Sequence, residues 1–454
     1  MNTYSVFDFA ARCGGAAVGF AADAKLSGFA LDSRAVASGE LFIAVRGQRV
    51  DGHDFVKEAL ERGAIGSLVE RPVEGPHVLV SDVVDALAKF GASMRAMFSG
   101  PVIAVTGSAG KTTTKELIAA ALSHRSPVLK SIGNRNTEYT SPLIWADLTP
   151  AHWAVVVELA MRGHGQIRHL AQIHRPSVGV VTNVGTAHVE MVGSRAGIAA
   201  AKGELLEGLP SDGIAVLWQE DEYLGDLTAR CTCPYVTFGF SEWADCRVLG
   251  YRPLDWSRCV VRLSVQGVTV ETELPAIGRH LALDAAAALL AATRVGIDPA
   301  SAAEAMRDVE MPKLRMQRVR LGGAEILLDT YNANPAATIA AIQTICELPA
   351  AGRRLAVIGE MRELGAFEES GHRQVGRALA ESGIDQVLLF GEATRFVLDE
   401  AQRAGFAPNR MIQAQSLDDV CRFLVALGPG DVVLIKGSRS LELESALPAE
   451  ATAP

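Results

Sequence analysis

The sequence is poor in cysteine, in excess positive charge and in long uncharged apolar runs, and each shortage removes a class of protein. Seven cysteines in 454 residues is an odd number for a disulfide framework, and Cys231 and Cys233 stand too close together, with no second pair at zinc spacing, for a finger-like metal site. Such usage suits a reducing compartment. Against 43 lysines and arginines stand 52 aspartates and glutamates, a net charge of −9. The overall field therefore repels nucleic acid and anionic lipid, and any anionic ligand needs a local site. The N-terminal apolar stretch is broken by Asp8 and Arg12, and the alanine-rich run after His280 by Asp284. Neither reads as a signal or membrane span, so a cytoplasmic protein with no nucleic-acid partner and no membrane insertion is expected. Repeats and low-complexity tracts are missing too, as is the Asn-Lys-x-Asp signature of guanine-nucleotide switches.

What is present is an ordinary globular composition, 49% hydrophobic and 21% charged, over a length that at ~150 residues per domain predicts about three domains. Residues 1–99 mix short strand-like runs (41–45, 67–70, 77–80) with helical ones (53–62, 84–98), a small α/β domain. Ser99-Gly100-Pro101 then punctuates the chain. From there strands 102–105, 154–159 and 178–182 alternate with helices 111–123, 165–173 and 195–207, which predicts a parallel sheet with crossover helices. Runs 215–218, 235–238, 258–265 and 268–274 have hairpin-like spacing and are expected to extend that sheet antiparallel. A helix over 280–295 closes a central P-loop mixed-sheet domain, residues 100–312. After a basic, proline-containing stretch at 311–320, strands near 326–331, 355–359, 386–390 and 432–436 predict a Rossmann-like domain over 313–454. The expected fold class is α/β in three domains.

The segment Thr106-Gly107-Ser108-Ala109-Gly110-Lys111-Thr112-Thr113 follows the apolar strand and opens a helix. Glycines let backbone N–H groups turn toward phosphate at a helix N-terminus, Lys111 would reach the outer phosphates, and the Thr112 hydroxyl would meet Mg²⁺. Position 105, where the common pattern has glycine, is Val105, so the match is to a shorter variant. Without a ligand the same residues would be a plain strand-to-helix turn; the apolar strand before them favours nucleotide.

Glu158, Asn183 and His188 stand at or just after predicted parallel strands, whose C-terminal ends face the same crevice as the loop. Carboxylate and imidazole there can ligate Mg²⁺. Taken singly, Glu158 could face solvent, and Lys202 in its Lys-Gly-Glu turn could form a surface ion pair worth little.

Seven segments in this order resemble the Mur ligase family of ATP-dependent amide-bond-forming enzymes of bacterial cell-wall synthesis, over nearly the whole length. They are Thr106 to Thr113; Glu158 with Met161-Arg162-Gly163; Thr182-Asn183-Val184-Gly185-Thr186-Ala187-His188; Ala201-Lys202-Gly203-Glu204; Gly278-Arg279-His280; Asp329-Thr330-Tyr331-Asn332-Ala333-Asn334-Pro335; and Lys436-Gly437-Ser438-Arg439. The N-terminal runs Asp32-Ser33-Arg34 and Asp51-Gly52-His53 look like the family's uridine-nucleotide substrate domain. Tyr331 to Pro335 and the loop Gly359 to Gly365 resemble the member that joins UDP-N-acetylmuramoyl-tripeptide to D-alanyl-D-alanine.

The resemblance implies an order of domains: UDP-substrate, ATP, incoming dipeptide. It implies that Lys111, Lys202 and His188 are catalytic, and that ATP is met by Thr106, Gly107, Ser108, Ala109, Gly110, Lys111, Thr112, Thr113, Asn183, Arg315, Asp329 and Asn334. Substrates would be met by Ser33, Arg34, Asp51, His53, Asn136, Thr137, Lys436, Ser438 and Arg439. Lys202 would be carbamylated by CO₂ and share one Mg²⁺ with His188, while Thr112 and Glu158 hold another. A monomer is expected. Asp284 stands where the family commonly has an asparagine that helps read adenine, and Tyr139-Thr140-Ser141-Pro142 replaces the usual Ile-Gly continuation. Competing readings are the sister ligase that adds the third amino acid, a folate polyglutamylating ligase, and a nucleotide-binding regulator without turnover.

Overall fold

The structure, a computed structural model, describes residues 4–47, 50–187 and 189–452. Its strands fall into one two-stranded and three larger sheets. The first large sheet orders its strands Ala16–Val18, His77–Leu79, Gly66–Val69, Glu40–Ile43 and Gly28–Ala30. All neighbours run parallel except the first pair. Leu41, Ile43, Leu68 and Val78 face helix Val83–Arg95 through Leu87 and Phe90, while Phe42, Ala44 and Val69 face Val56 and Ala59 of helix Val56–Glu61. Both faces are covered, which is why these strands read as unbroken apolar runs.

The central sheet has nine strands. Val102–Thr106 lies between Ala154–Glu158 and Val178–Val181, parallel to both. Beyond Val178–Val181 the chain departs from the sequence reading. Ile214–Trp218 and Tyr235–Gly239 continue parallel, because the residues between them fold into a short helix, Leu224–Thr228, whose Leu227 is buried and makes the crossover. The antiparallel part starts only at Cys246–Pro253, a strand the sequence reading did not expect; a register shift between Val248 and Gly250 breaks its alternation. Cys259–Val265 and Val268–Leu274 complete a meander. Helix Arg279–Arg294 is buried over most of its alanine-rich length, and its small side chains let it pack closely against helix Lys111–Ser123.

The third sheet orders Gln317–Leu321, Ala324–Asp329, Val432–Lys436, Arg354–Gly359, Gln386–Phe390 and Met411–Ala414. Its first strand lies inside the stretch read as a basic linker. In Gln317–Leu321 only Val319 is buried, so the apolar signal is faint, and the hairpin is closed by Gly322 and Gly323, both at positive φ. Edge strand Met411–Ala414 was missed for the same reason, burying Ala414 alone. All seven cysteines are free thiols. Among the described residues no helix is long and apolar enough to cross a membrane.

Candidate functional site

Strand Val102–Thr106 delivers the chain into the glycine loop, and helix Lys111–Ser123 leaves it. Two glycines are obligatory. Gly107 has φ 154° and a Cβ there would lie 1.8 Å from Thr182 Oγ1; Gly110, left-handed at φ 79°, would place its Cβ 2.4 Å from Asp284 Oδ1. The loop is braced by the strand that follows it in the sheet. Thr182 Oγ1 donates to Ala109 O (2.5 Å), Ala109 N donates to Asn183 Oδ1 (3.0 Å), Asn183 Nδ2 donates to Ala109 O (3.1 Å), and Ser108 N donates to Asn183 O (3.0 Å). Gly185 N adds a bond to Ser108 Oγ (2.8 Å). Asn183 is therefore the loop's clamp, its amide spent on Ala109, and the Ser108 and Ala109 N–H groups are spent on Asn183 rather than aimed at phosphate. The donors left for an anion are the first-turn amides of helix Lys111–Ser123, which have no intrahelical acceptors. Thr106 is buried at the strand end, and Thr113 in the first turn.

Lys111 Nζ donates to Gly107 O (2.7 Å), and its pKa is pulled down by desolvation first, with Arg315 adding to the effect and Glu158 opposing it. Arg315 reaches across from the segment after the central sheet and donates through Nη2 to Thr112 Oγ1 (3.1 Å). Glu158 ends its strand only 2% exposed. Its Oε1 accepts from Asn136 Nδ2 (2.8 Å), whereas its buried Oε2 has no protein partner. A desolvated carboxylate oxygen left open is costly, and an oxygen-rich pair with the Thr112 hydroxyl suits a hard divalent cation. Thr137, beside Asn136, exchanges its hydroxyl with Thr140 (3.1 Å).

Lys202, in helix Arg195–Glu207, is 1% exposed. The surface ion pair with Glu204 does not form: Glu204 accepts instead from Gly165 N (2.7 Å) and Arg168 N (3.1 Å), capping helix Gln166–His174. Burial, and then the neighbouring Lys111 charge, hold the Lys202 ammonium well below its ordinary pKa. The favourable charge acting on it is Asp221, which sequence reasoning missed. Asp221 follows strand Ile214–Trp218 and accepts from Val184 N (2.7 Å) and Tyr223 N (2.9 Å), so it also fixes the Asn183–Ala187 loop. Its place after a parallel strand was its only signal. His188 lies outside the described residues.

Asp284, at the position where the resemblance puts the adenine-reading asparagine, packs against Gly110 of the loop. Its carboxylate is buried under the loop, accepts from Thr114 Oγ1 (3.0 Å), and is pushed up to about 7 by desolvation. Among the described residues no cluster of three or more His, Cys, Asp or Glu side chains could alone hold a metal ion.

The C-terminal candidates are mostly engaged with one another. Lys436 Nζ donates to Asp329 Oδ2 (2.6 Å) and Asn332 O (2.9 Å), which ties it to the Asp329–Asn334 segment. Asn334 caps helix Pro335–Glu347 by accepting from Ala337 N (2.9 Å). Ser438 Oγ accepts from Arg362 N (2.9 Å), and Arg439 pairs with Glu444. In the N-terminal sheet Ser33 Oγ donates to Glu58 Oε2 (2.9 Å), and Arg34 forks onto Asp32 (2.9 and 2.8 Å). His53 is buried with both ring nitrogens used: Glu70 N donates to Nε2 (2.9 Å), which leaves Nδ1–H for Asp51 Oδ1 (2.6 Å). His53 therefore spends its one ring donor on Asp51. Asp51 also pairs with Arg71 (2.9 Å). The structure thus brings together the loop, Asn136, Glu158, Lys202 and Arg315, and leaves the N-terminal group as a separate cluster.

Comparison with known families matches three stretches, the first two overlapping: residues 25–132 to the Mur ligase family catalytic domain, 105–292 to the Mur ligase middle domain, and 314–439 to the Mur ligase glutamate ligase domain. UDP-N-acetylmuramoyl-tripeptide--D-alanyl-D-alanine ligase of Synechocystis is 35% identical, with 98% of this chain and 96% of that protein aligned. The ligase of the same name from Bacillus subtilis is 32% identical over 92% of each. Among solved structures, MurF of Acinetobacter baumannii superposes with a TM-score of 0.87 at 27% identity, covering 98% of both chains. MurF of Thermotoga maritima in complex with ADP gives 0.79 at 31% identity, covering 92% of this chain and 95% of that one.

Proposed function

The chain belongs to the Mur ligase family, and from that premise we infer that it joins D-alanyl-D-alanine to UDP-N-acetylmuramoyl-tripeptide at the expense of ATP. The products are the UDP-linked pentapeptide, ADP and phosphate, a step in peptidoglycan precursor synthesis. The observation that carries the reading is the crevice beside the phosphate loop, where Glu158 Oε2 and Lys202 are both desolvated, within a chain similar over its whole length to ligases of that name.

A carboxylate is a poor acyl donor, since attack would have to expel oxide. Transfer of the ATP γ-phosphoryl group to the tripeptide carboxylate gives an acyl phosphate, and the dipeptide amine then attacks its carbonyl with phosphate as the leaving group. Phosphoryl transfer is mostly positioning and charge neutralisation. The first-turn amides of helix Lys111–Ser123 hold the phosphates, Lys111 exchanges Gly107 O for an outer phosphate oxygen, and Arg315 supplies a second cation at Thr112. Asn183 and Asp221 keep the loops in register. Thr112 and Glu158 would hold one Mg²⁺; Lys202, carbamylated, would hold a second together with His188. Bound between those residues, Mg²⁺ would supply charge neutralisation for the transferring group. Lys202 fits that modification because desolvation disfavours its ammonium form, and the neutral amine is the form nucleophilic toward CO₂.

Residues 1–99 are assigned to the UDP-substrate, 100–312 to ATP and 313–454 to the dipeptide, in a monomeric cytoplasmic enzyme. Ser33, Arg34, Asp51 and His53 shape the first site and Ser438 and Arg439 the last. The test is ADP release by purified protein with Mg²⁺ and ATP, with the coupled product followed by mass. ADP that forms only with both UDP-N-acetylmuramoyl-tripeptide and D-alanyl-D-alanine, with a matching mass gain, supports the assignment. Turnover with a single amino acid in place of the dipeptide transfers it to the sister ligase, and no turnover transfers it to a regulator.

A further inference from the structure

We propose that Tyr331 is a positioning residue for nucleotide use, acting through Arg315; the proposal rests on the ATP-dependent reading above. Arg315 is held from two directions and has one buried donor left open. Its guanidinium carbon lies 4.3 Å from the centroid of the Tyr331 ring, its Nη2 donates to Thr112 Oγ1 (3.1 Å), and its Nε is buried without a protein partner. The backbone on both sides is left-handed, with Leu314 at φ 59° and Met316 at φ 49°. L-residues adopt that conformation at a cost, and two such residues flanking one side chain mark a segment whose surroundings dictate its shape. Tyr331 supplies part of that constraint, because its N–H donates to Leu314 O (3.2 Å) while Gln317 Oε1 accepts from Leu314 N (3.0 Å).

The geometry has a chemical consequence. Arginine carries a long flexible stem, and a planar aromatic face under the guanidinium restricts it to orientations that keep its remaining donors in one plane. Here that plane ends on the hydroxyl of Thr112, beside which the outer phosphates of a loop-bound nucleotide would lie. Tyr331 also sits in the combined field of Arg315, Glu158 and Arg439. The ring thus belongs to the third sheet's first crossover yet orders a cation at the central sheet's phosphate loop, so the sheet assigned to the dipeptide reports to the one assigned to ATP.

Calorimetric binding of Mg²⁺ with AMPPNP, a non-hydrolysable ATP analogue, and of Mg²⁺ with ADP, to the full chain separates this role from packing. Tyr331→Leu is expected to weaken AMPPNP about 10-fold and ADP less than about 3-fold, and Tyr331→Phe to bind both within about 2-fold of the native protein. On an Arg315→Ala background, Tyr331→Leu should add nothing further. Equal losses for both nucleotides, a Phe variant as weak as Leu, or additive losses would each overturn the proposal. Should Tyr331→Leu not fold, Arg315→Lys, which keeps the charge and loses the planar stack, carries the test: a loss of about 10-fold for AMPPNP supports it and unchanged binding overturns it. Because binding needs no turnover, a native protein that binds AMPPNP but makes no ligated product defeats the ligase reading while leaving this comparison intact.

Discussion

The N-terminal cluster and the phosphate-loop crevice hold similar side chains in opposite conditions. Around Asp51 the hydrogen-bonding capacity is consumed at home: His53 uses both ring nitrogens, Asp51 serves His53 and Arg71, and Ser33 is bonded to Glu58. In the crevice, Glu158 Oε2 and Arg315 Nε are buried with open valence, and burial disfavours the charged form of Lys202. Satisfied groups shape a loop, and open ones await a ligand. A motif residue's type does not distinguish the two; its partners do.

The contrast breaks most sharply at Lys202. Lys202→Ala should reduce ligated product by about 10³-fold while leaving the melting temperature within a few degrees; a full-rate variant would remove Lys202 from the chemistry. Next comes Glu158→Gln, which keeps the bond from Asn136 and neutralises the open oxygen. A drop of about 10²-fold in kcat with unchanged affinity for the UDP-substrate is expected, measured by steady-state kinetics. His53→Ala should act in the other manner, leaving kcat nearly unchanged while destabilising its loop by about 1–3 kcal/mol, visible as faster amide exchange over Asp51–Phe55. If its kcat collapses instead, the division between satisfied and open groups fails.

Two buried groups sharpen the comparison through pH. From about pH 4 to about 7 the unfolded chain holds Asp284 ionised while the fold keeps it protonated, so stability falls as pH rises through that window and levels off above it. Asp284→Asn should flatten this slope and tighten nucleotide binding above pH 7, where an ionised carboxylate would otherwise repel phosphate across Gly110. His174 gives an opposite slope of comparable size. It is buried between Ser141 and Trp145 and desolvated to about 3, so stability should decline as pH drops below about 6.5, where the unfolded imidazole takes up its proton. Urea titrations from pH 5 to 8 on the native protein and on Asp284→Asn measure both.

The loop itself and the placement of Glu158 were legible because glycines, an apolar strand and alternating elements are local signals. Lys202's burial was not: Lys-Gly-Glu at helical spacing looks the same on a surface, and only the folded chain takes Glu204 away to cap another helix. Asp221 had no motif around it, and the support role of His53 depends on a backbone N–H at Glu70 that spacing cannot show. The parallel course of Tyr235–Gly239 was hidden by a crossover helix, Leu224–Thr228, too short to leave a periodic signature.

The position of Val102–Thr106 has a consequence for how the molecule is made. The strand that carries the loop pairs with Ala154–Glu158 on one side and Val178–Val181 on the other, both synthesised later. Until residue 181 has left the ribosome, its edge has an unpaired row of N–H and C=O groups and its glycine loop lacks the Asn183 clamp. A nascent chain in that interval exposes an apolar edge of the kind that invites intermolecular pairing, and nucleotide cannot help by binding early. Truncations ending just before and just after residue 185 would bracket the point at which nucleotide begins to rescue solubility.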